Sequence, residues 1–406
     1  MTLDRRNFLR QATGGMTAIA LTPELGALIP PTPKGTLKIG VIGTGNRGNE
    51  ALEELTLMEG VDLVSIADVD KGRRKRGTKR APEAQVYESG AELLAAGGID
   101  AIVLATPTDL HRELAEAALA LGLAVYCEAP LAHTADEANA LADAVGAQKN
   151  LFAAGFTARS NPLYIRSRNV YRSGAGKDLI SMRSHWRQRT SWRAMAPTAK
   201  RETALNWRLD PKRSNGLEGE IGCHHLHTLE WITGKRATHV SGWGDVRCWK
   251  DRRQLPDTVQ LEYQFEDDVR LQQELTLASS LGGSELQILG SHGSFRLAGE
   301  FAWLFKEADS ATLGWEVYAR RQRFHKDEGY VLVANATKLA NQGKLGDSLG
   351  LPNSELFYSL QAFVNAVLED TAPSCSAVDA LSATLAGIAA RKAVESNSVV
   401  ELQIES

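Results

Sequence analysis

The sequence predicts an α/β fold in the first half of the chain, a doubly wound parallel sheet, followed by a second domain of different pattern. Two observations carry this. Four short apolar runs, Leu37–Ile42, Val61–Ala67, Ala101–Ala105 and Ala124–Cys127, alternate with segments of helical spacing, the pattern of a parallel sheet covered by helices. From about Leu151 the pattern changes, and alternating-polarity segments take over.

The first run leads directly into Gly43-Thr44-Gly45-Asn46-Arg47-Gly48, and helical spacing resumes at Asn49. A G-x-G-x-x-G between a strand and a helix is a dinucleotide-binding signature. Its glycines permit a tight turn, and backbone N–H groups at the helix start can approach a pyrophosphate. The second run ends at Asp68, 20 residues beyond Gly48, where an acid suits the adenosine ribose hydroxyls and disfavours a 2′-phosphate. Seven of the ten residues in Lys71–Arg80 are basic. They read as a solvated helix face or as a grip for a 2′-phosphate, so NAD is favoured and NADP stays open. The third run ends at Thr106-Pro107, with His111 opening a helix, and the fourth ends at Glu128-Ala129-Pro130. Ligands bind outside the carboxyl ends of such strands, so Thr106, Pro107, His111 and Glu128 face one crevice.

In the second half, 162–173 reads as a helix and 179–185 as a strand. Further strands are read at 257–265, 269–277 and 285–289, and helices at 355–368 and 377–394. Trp186, Arg187, Trp192, Trp207 and Arg208 come from a stretch dense in tryptophan and arginine. Indole faces stack on sugar rings and guanidinium groups bind hydroxyls or carboxylates; the same residues also suit a packed loop arm or a subunit contact.

The N-terminus precedes both domains. Asp4-Arg5-Arg6-Asn7-Phe8-Leu9-Arg10 is followed by a modest apolar stretch to Leu21 and by four prolines, 23, 30, 31 and 33. This resembles a twin-arginine export signal, the alternative being a basic tail. The organisation is therefore 1–35 signal and linker, 36–155 dinucleotide-binding domain, and 156–406 substrate domain, whose last helices are placed to pack back on the first. A periplasmic or otherwise exported protein, handled by the twin-arginine machinery, is expected. A net charge of −3 gives no field for nucleic acid, and no apolar run reaches the length of a membrane span. The four cysteines are scattered without paired spacing.

Taken together, Gly43-x-Gly45-x-x-Gly48, Asp68, Thr106-Pro107-x-x-x-His111, Glu128-Ala129-Pro130 and Glu220-x-Gly222-x-His224-x-x-His227, followed by Trp231-Ile232-Thr233-Gly234, resemble the Gfo/Idh/MocA oxidoreductases over about residues 36–402. The resemblance implies a second domain of α+β type built on an open, mostly antiparallel sheet, and a homo-oligomer. It also implies nicotinamide chemistry on a small carbohydrate, with His224 at the catalytic position. Glu220, one helical turn away, would tune it. Arg159 and His227 join the tryptophan–arginine residues as candidate substrate ligands. A metal held by Cys223, His224, His225, His227, Glu220 or Glu230 is the rival reading. No second ligand-rich cluster accompanies them and the family works without metal, so none is expected.

Two departures stand out. The family's usual Glu-Lys-Pro is Glu128-Ala129-Pro130 here, so the lysine that assists deprotonation is missing. Its usual Asp-x-x-x-His-x-x-Asp is Glu220, His224 and His227. Export adds a constraint, because no pool of free NAD restores a cofactor outside the cytoplasm. Three functions follow: an exported oxidoreductase on a sugar, polyol or sugar derivative with tightly held cofactor; a redox-neutral NAD-dependent glycoside hydrolase or lyase; and a nucleotide-binding scaffold without catalysis.

Overall fold

Residues 35–402 are described in the computed structural model, apart from 300, 315, 317–318, 325–326 and 333–350. The twin-arginine segment lies outside the described residues.

The four apolar runs become strands of one sheet: β1 (Leu37–Ile42), β2 (Val61–Ala67), β4 (Ala101–Leu104) and β5 (Ala124–Cys127). Two short strands, β3 (Gln85–Tyr87) and β6 (Phe152–Ala154), close its edges. The order is β3-β2-β1-β4-β5-β6, and all pairs are parallel. The strand order reverses between β1 and β4, which opens a crevice at their carboxyl ends. The first-domain helices are α1 (Asn46–Leu55), α2 (Lys71–Arg80), α3 (Gly90–Ala96), α4 (His111–Ala120) and α5 (Ala135–Gly146). In α1, Ala51, Leu52 and Leu55 are buried, the stripe of an amphipathic helix. In the basic helix α2 only Gly77 is buried, because a side chain there would collide with Thr44 beneath it.

The second domain begins with α6 (Pro162–Val170), capped by Asn161. Then come β7 (Leu179–Arg187), α7 (Ala199–Leu205) and α8 (Cys223–Thr233). The strands β8 (Ala237–Asp245), β9 (Thr258–Phe265), β10 (Arg270–Thr276), β11 (Ser284–Gly290), β12 (Gly293–Ala298), β13 (Phe301–Lys306), β14 (Arg320–Phe324) and β15 (Asp327–Leu332) follow. The described chain ends with α9 (Glu355–Glu369), α10 (Ala377–Ser396) and β16 (Val400–Glu401). The ten-stranded sheet runs β14-β15-β13-β12-β11-β7-β10-β9-β8-β16. It is antiparallel except where β7 lies parallel to β10.

The last two helices join the domains. Leu356, Phe357, Leu360, Phe363 and Val364 of α9 pack with Leu37, Ile39, Leu52 and Tyr126 of the first domain. Burial of such side chains contributes roughly 1.5–3 kcal/mol each. Residues 377–385 of α10 pack with Leu131, Ala138 and Leu141, while Ala386, Ala390 and Ala393 pack with Val240, Val259 and Leu261. Thus α10 belongs to both cores. Among the described residues, no helix is long and apolar enough to cross a membrane.

Candidate functional site

A cavity of about 1160 Å³ lies between the carboxyl ends of β1, β4 and β5 and the elements β7, β11 and α8 of the second domain. It exceeds the roughly 300–1,000 Å³ of single-ligand pockets, so a dinucleotide and a second small molecule can share it.

One end is built by the glycine turn. Gly43 has a φ of +91°, and an added Cβ would lie 2.5 Å from the Ala105 carbonyl oxygen. An added Cβ on Gly48 would lie 1.7 Å from the carbonyl oxygen of Gly43, so helix and strand approach as closely as backbone allows. Gly45 caps α1 without a side chain, and the first turn carries no acid. Its N–H groups and the helix dipole are therefore open to an anion. The Asn49 amide holds the carbonyls of Thr44 and Gly45 (2.5 and 2.8 Å). Asp68 accepts from the backbone N–H of Thr44 and of Asp70, both at 2.8 Å. Asn46, Thr106 and Pro107 line the cavity, and the buried Thr106 hydroxyl has no hydrogen-bond partner among the described residues. The open helix terminus, the glycine cradle and this orphaned hydroxyl fit a dinucleotide. Arg47 Nε meets Glu128 Oε1 at 2.9 Å, tying the turn after β1 to the end of β5. His111 lies 2.9 Å from the Pro130 carbonyl and 3.1 Å from that of Thr106. It pins two loops, so its ring nitrogens are engaged by backbone.

The other end holds His224, whose ring lies 4.9 Å from that of Phe156. Burial, with the charge of Arg47 adding to it, pushes the imidazole down to about 4, against the effect of a hydrogen bond to the Ala129 backbone. His224 is therefore neutral near pH 7. A neutral imidazole carries one N–H donor and one acceptor nitrogen, so His224 can take a proton at the latter. Hence the acid limb of kcat/KM that reports His224 is expected near pH 4, with activity lost as pH falls through it. A His224 limb near pH 6.5 in a pH–rate profile would contradict this burial. The same shift costs stability as pH falls from about 6.5 toward 4, because the unfolded chain takes the proton first.

Several sequence expectations are corrected here. Glu220 does not partner His224. Residues Glu218–Gly222 form a π-helical turn, which breaks the i, i+4 register. The carboxylate instead accepts from Thr108 Oγ1 (3.0 Å), Ser214 Oγ (3.2 Å) and the Asn215 N–H (3.3 Å). Burial raises its pKa, opposed by Arg208 and these donors. Arg159 and His227 are not among the cavity-lining residues. Arg159 donates to His227 Nε2 (3.0 Å) and pairs with Asp379 of α10 (2.6 Å), while His227 stacks on Phe156. Arg187 is absent from the lining too: strand alternation puts Trp186 in the cleft and Arg187 on the other face, held by Glu274 at 2.8 and 2.9 Å. Trp192, Trp207 and Arg208 do line the cavity. His225, read from sequence only as a metal candidate, lines it too, and residues not singled out from sequence join them, including Phe156, Tyr164, Ser284 and Glu355. His225 bonds Ser284 Oγ at 3.0 Å. Among the described residues, no group of three or more His, Cys, Asp or Glu is arranged to hold a metal.

The model of the oxidoreductase family with an NAD-binding Rossmann fold, GFO_IDH_MocA, matches residues 37–156, and that of the GFO/IDH/MocA C-terminal domain matches residues 164–296. The chain belongs to the Gfo/Idh/MocA oxidoreductase family. As a member, it is a nicotinamide-dependent enzyme with NAD(P) as its cofactor. Among relatives of this Gfo/Idh/MocA protein, inositol 2-dehydrogenase of Acidothermus cellulolyticus is 28% identical over 65% of this chain and 74% of that one. Inositol 2-dehydrogenase of Acidiphilium cryptum is 32% identical over 50% of this chain and 66% of its own length. Among solved structures, an oxidoreductase domain protein from Kribbella flavida superposes with a TM-score of 0.73 at 22% identity, covering 91% of this chain and all of that one. A levoglucosan dehydrogenase in complex with NADH and L-sorbose gives 0.74 at 19% identity, covering 91% and 99%. These superpositions share the fold.

Proposed function

We propose that this protein is an exported oxidoreductase that takes hydride from a sugar, polyol or sugar derivative and keeps its dinucleotide bound. The observation that carries the reading is His224, a neutral imidazole on a cleft lined by the indoles of Trp186, Trp192 and Trp207. Apolar ring faces suit the C–H faces of a sugar, and the imidazole can accept the proton of its hydroxyl. The nicotinamide, when bound, supplies the hydride acceptor. With alanine at 129, the proton has no lysine to go to, and His224 takes that part alone or through water. The relatives' names support a polyhydroxylated substrate, since they include inositol 2-dehydrogenases and a levoglucosan dehydrogenase. Asp68, directly after β2, supports NAD over NADP. The Arg5-Arg6-Asn7-Phe8-Leu9 stretch supports export by the twin-arginine route, and the family resemblance supports a homo-oligomer.

A redox-neutral glycoside hydrolase or lyase is the second reading. It is favoured by Ala129 together with two carboxyls on the cavity wall, the buried Glu220 and the half-buried Glu355, both with pKa raised by desolvation. One preparation separates the readings. The cofactor released by denaturation is identified by mass spectrometry, and the native protein is assayed on free polyols, sugars and chromogenic glycosides. The oxidoreductase gives polyol- or sugar-dependent nicotinamide absorbance, or oxidation of one sugar coupled to reduction of another. Aglycone release without net NADH sinks it in favour of the second. Bound nucleotide with every substrate unchanged leaves only a scaffold.

A further inference from the structure

The chain between β7 and α8 crosses back to the first domain and makes two ion pairs there. Arg201 Nε and its NH2 group meet Asp70 at 2.5 and 3.1 Å. Arg213 meets Asp109 in the same way, at 2.6 and 3.1 Å. Asp70 follows β2 and Asp109 follows β4, so both anchors stand at carboxyl ends of the first sheet, on opposite sides of the crevice. Around the first anchor the arm holds itself together. Asn206 bonds the backbone of Ala194 in both directions (2.6 and 2.8 Å), and Arg193 pairs with Glu202 at 2.6 Å. None of the residues of α7 is buried, while the tryptophans on either side of it hold the arm: Trp192 packs on the core of the second domain and Trp207 is buried.

What the arm presents to the cavity is cationic and aromatic. The Arg208 guanidinium lies over Trp207 and Trp192, 4.5 and 5.6 Å from the ring centroids. Arg47, Arg73 and Arg201 line the same cavity, with Arg73 and Arg47 close enough to Arg208 to repel its charge. Like charges gathered around an open helix terminus call for an anion, and the diphosphate of a dinucleotide is the one this turn is built to take.

We propose that residues 188–213 form a clasp over the bound dinucleotide, latched by Arg201–Asp70 and Arg213–Asp109, with Arg208 facing the diphosphate, so that the cofactor stays bound between turnovers. The clasp rests on dinucleotide binding by the first domain and adds a device for retention. Arm opening, rather than separation of the domains, then sets the rate of cofactor exchange.

The test uses the full chain loaded with NADH or, in parallel, NADPH. Release is followed by stopped-flow fluorescence on displacement with excess oxidised cofactor. In Arg201→Ala/Arg213→Ala, release is expected to be about tenfold faster or more, with the melting temperature nearly unchanged. Raising salt accelerates the wild type toward the variant, because the latches are part-exposed ion pairs. The charge swap Asp109→Arg/Arg213→Asp restores slower release relative to Arg213→Ala. Equal release rates in wild type and double variant, with normal loading, overturn the clasp alone, as does a fall in melting temperature without faster release. A wild type that loads neither cofactor overturns the reading of the first domain as well.

Discussion

Replacing His224 with alanine is expected to lower kcat by roughly 10²–10⁴-fold, the range for loss of a positioned general base, or about 3–5 kcal/mol in the barrier. The effect is large because the cavity has no substitute at the same place. The lysine of the family is Ala129 here, His225 is spent on Ser284, His227 is spent on Arg159, and Glu220 is held by Thr108, Ser214 and Asn215. Dinucleotide affinity should change far less than kcat, since the glycine turn and the open start of α1 are built without the imidazole. Steady-state kinetics on the accepted substrate, paired with a fluorescence titration of NADH, reads both quantities. Full activity in the alanine variant would remove His224 from the chemistry.

The second large effect belongs to Gly48. In Gly48→Ala the new methyl would sit 1.7 Å from the Gly43 carbonyl oxygen. Real Cβ atoms never come so near, and the obstacle is backbone, so the start of α1 must move away from β1. That movement takes the open N–H groups of the helix terminus out of place. Dinucleotide binding should weaken by at least about 100-fold, which is nearly 3 kcal/mol. Gly146→Ala at the end of α5 serves as the control. Its added methyl meets nothing within 4 Å, and alanine in a helix is favoured by about 0.8–1 kcal/mol over glycine. Isothermal calorimetry with NAD settles the contrast, and normal affinity in Gly48→Ala would show the turn to be more pliable than its packing indicates.

The parts of the site legible in the sequence were those defined by near neighbours. The glycine turn, Asp68 and the loop from Thr106 to His111 are each fixed by a strand end and the helix after it, so their spacing carries their placement. Other parts depended on facts that spacing does not hold. A regular helix would align Glu220 with His224, but the π-helical turn at Glu218–Gly222 rotates the carboxylate toward Ser214 and Thr108. Arg187 follows Trp186 in a strand two residues longer than the apolar pattern marks, and one step along a strand reverses the face. Glu355 comes to the cavity from the first turn of α9 and bonds Thr157, 198 residues away in the chain. No local periodicity announces such a neighbour. The second sheet was read in part: β9, β10 and β11 alternate in polarity, whereas β8 contains Gly242 and Gly244 and gives no clear alternation.

The helices α9 and α10 also put a clock on the molecule. The strands of the first sheet leave the ribosome early, yet Phe357, Leu360 and Phe363 that cover one side, and Ala380 and Leu381 that cover the other, come near the end of the described chain. At about 5–20 residues per second, the 198 residues between Thr157 and Glu355 take roughly 10–40 s to synthesise. Through that interval the nascent sheet stands with bare apolar patches, a target for holding chaperones. The wall of the nucleotide pocket is complete only once Glu355, at the start of α9, has been made.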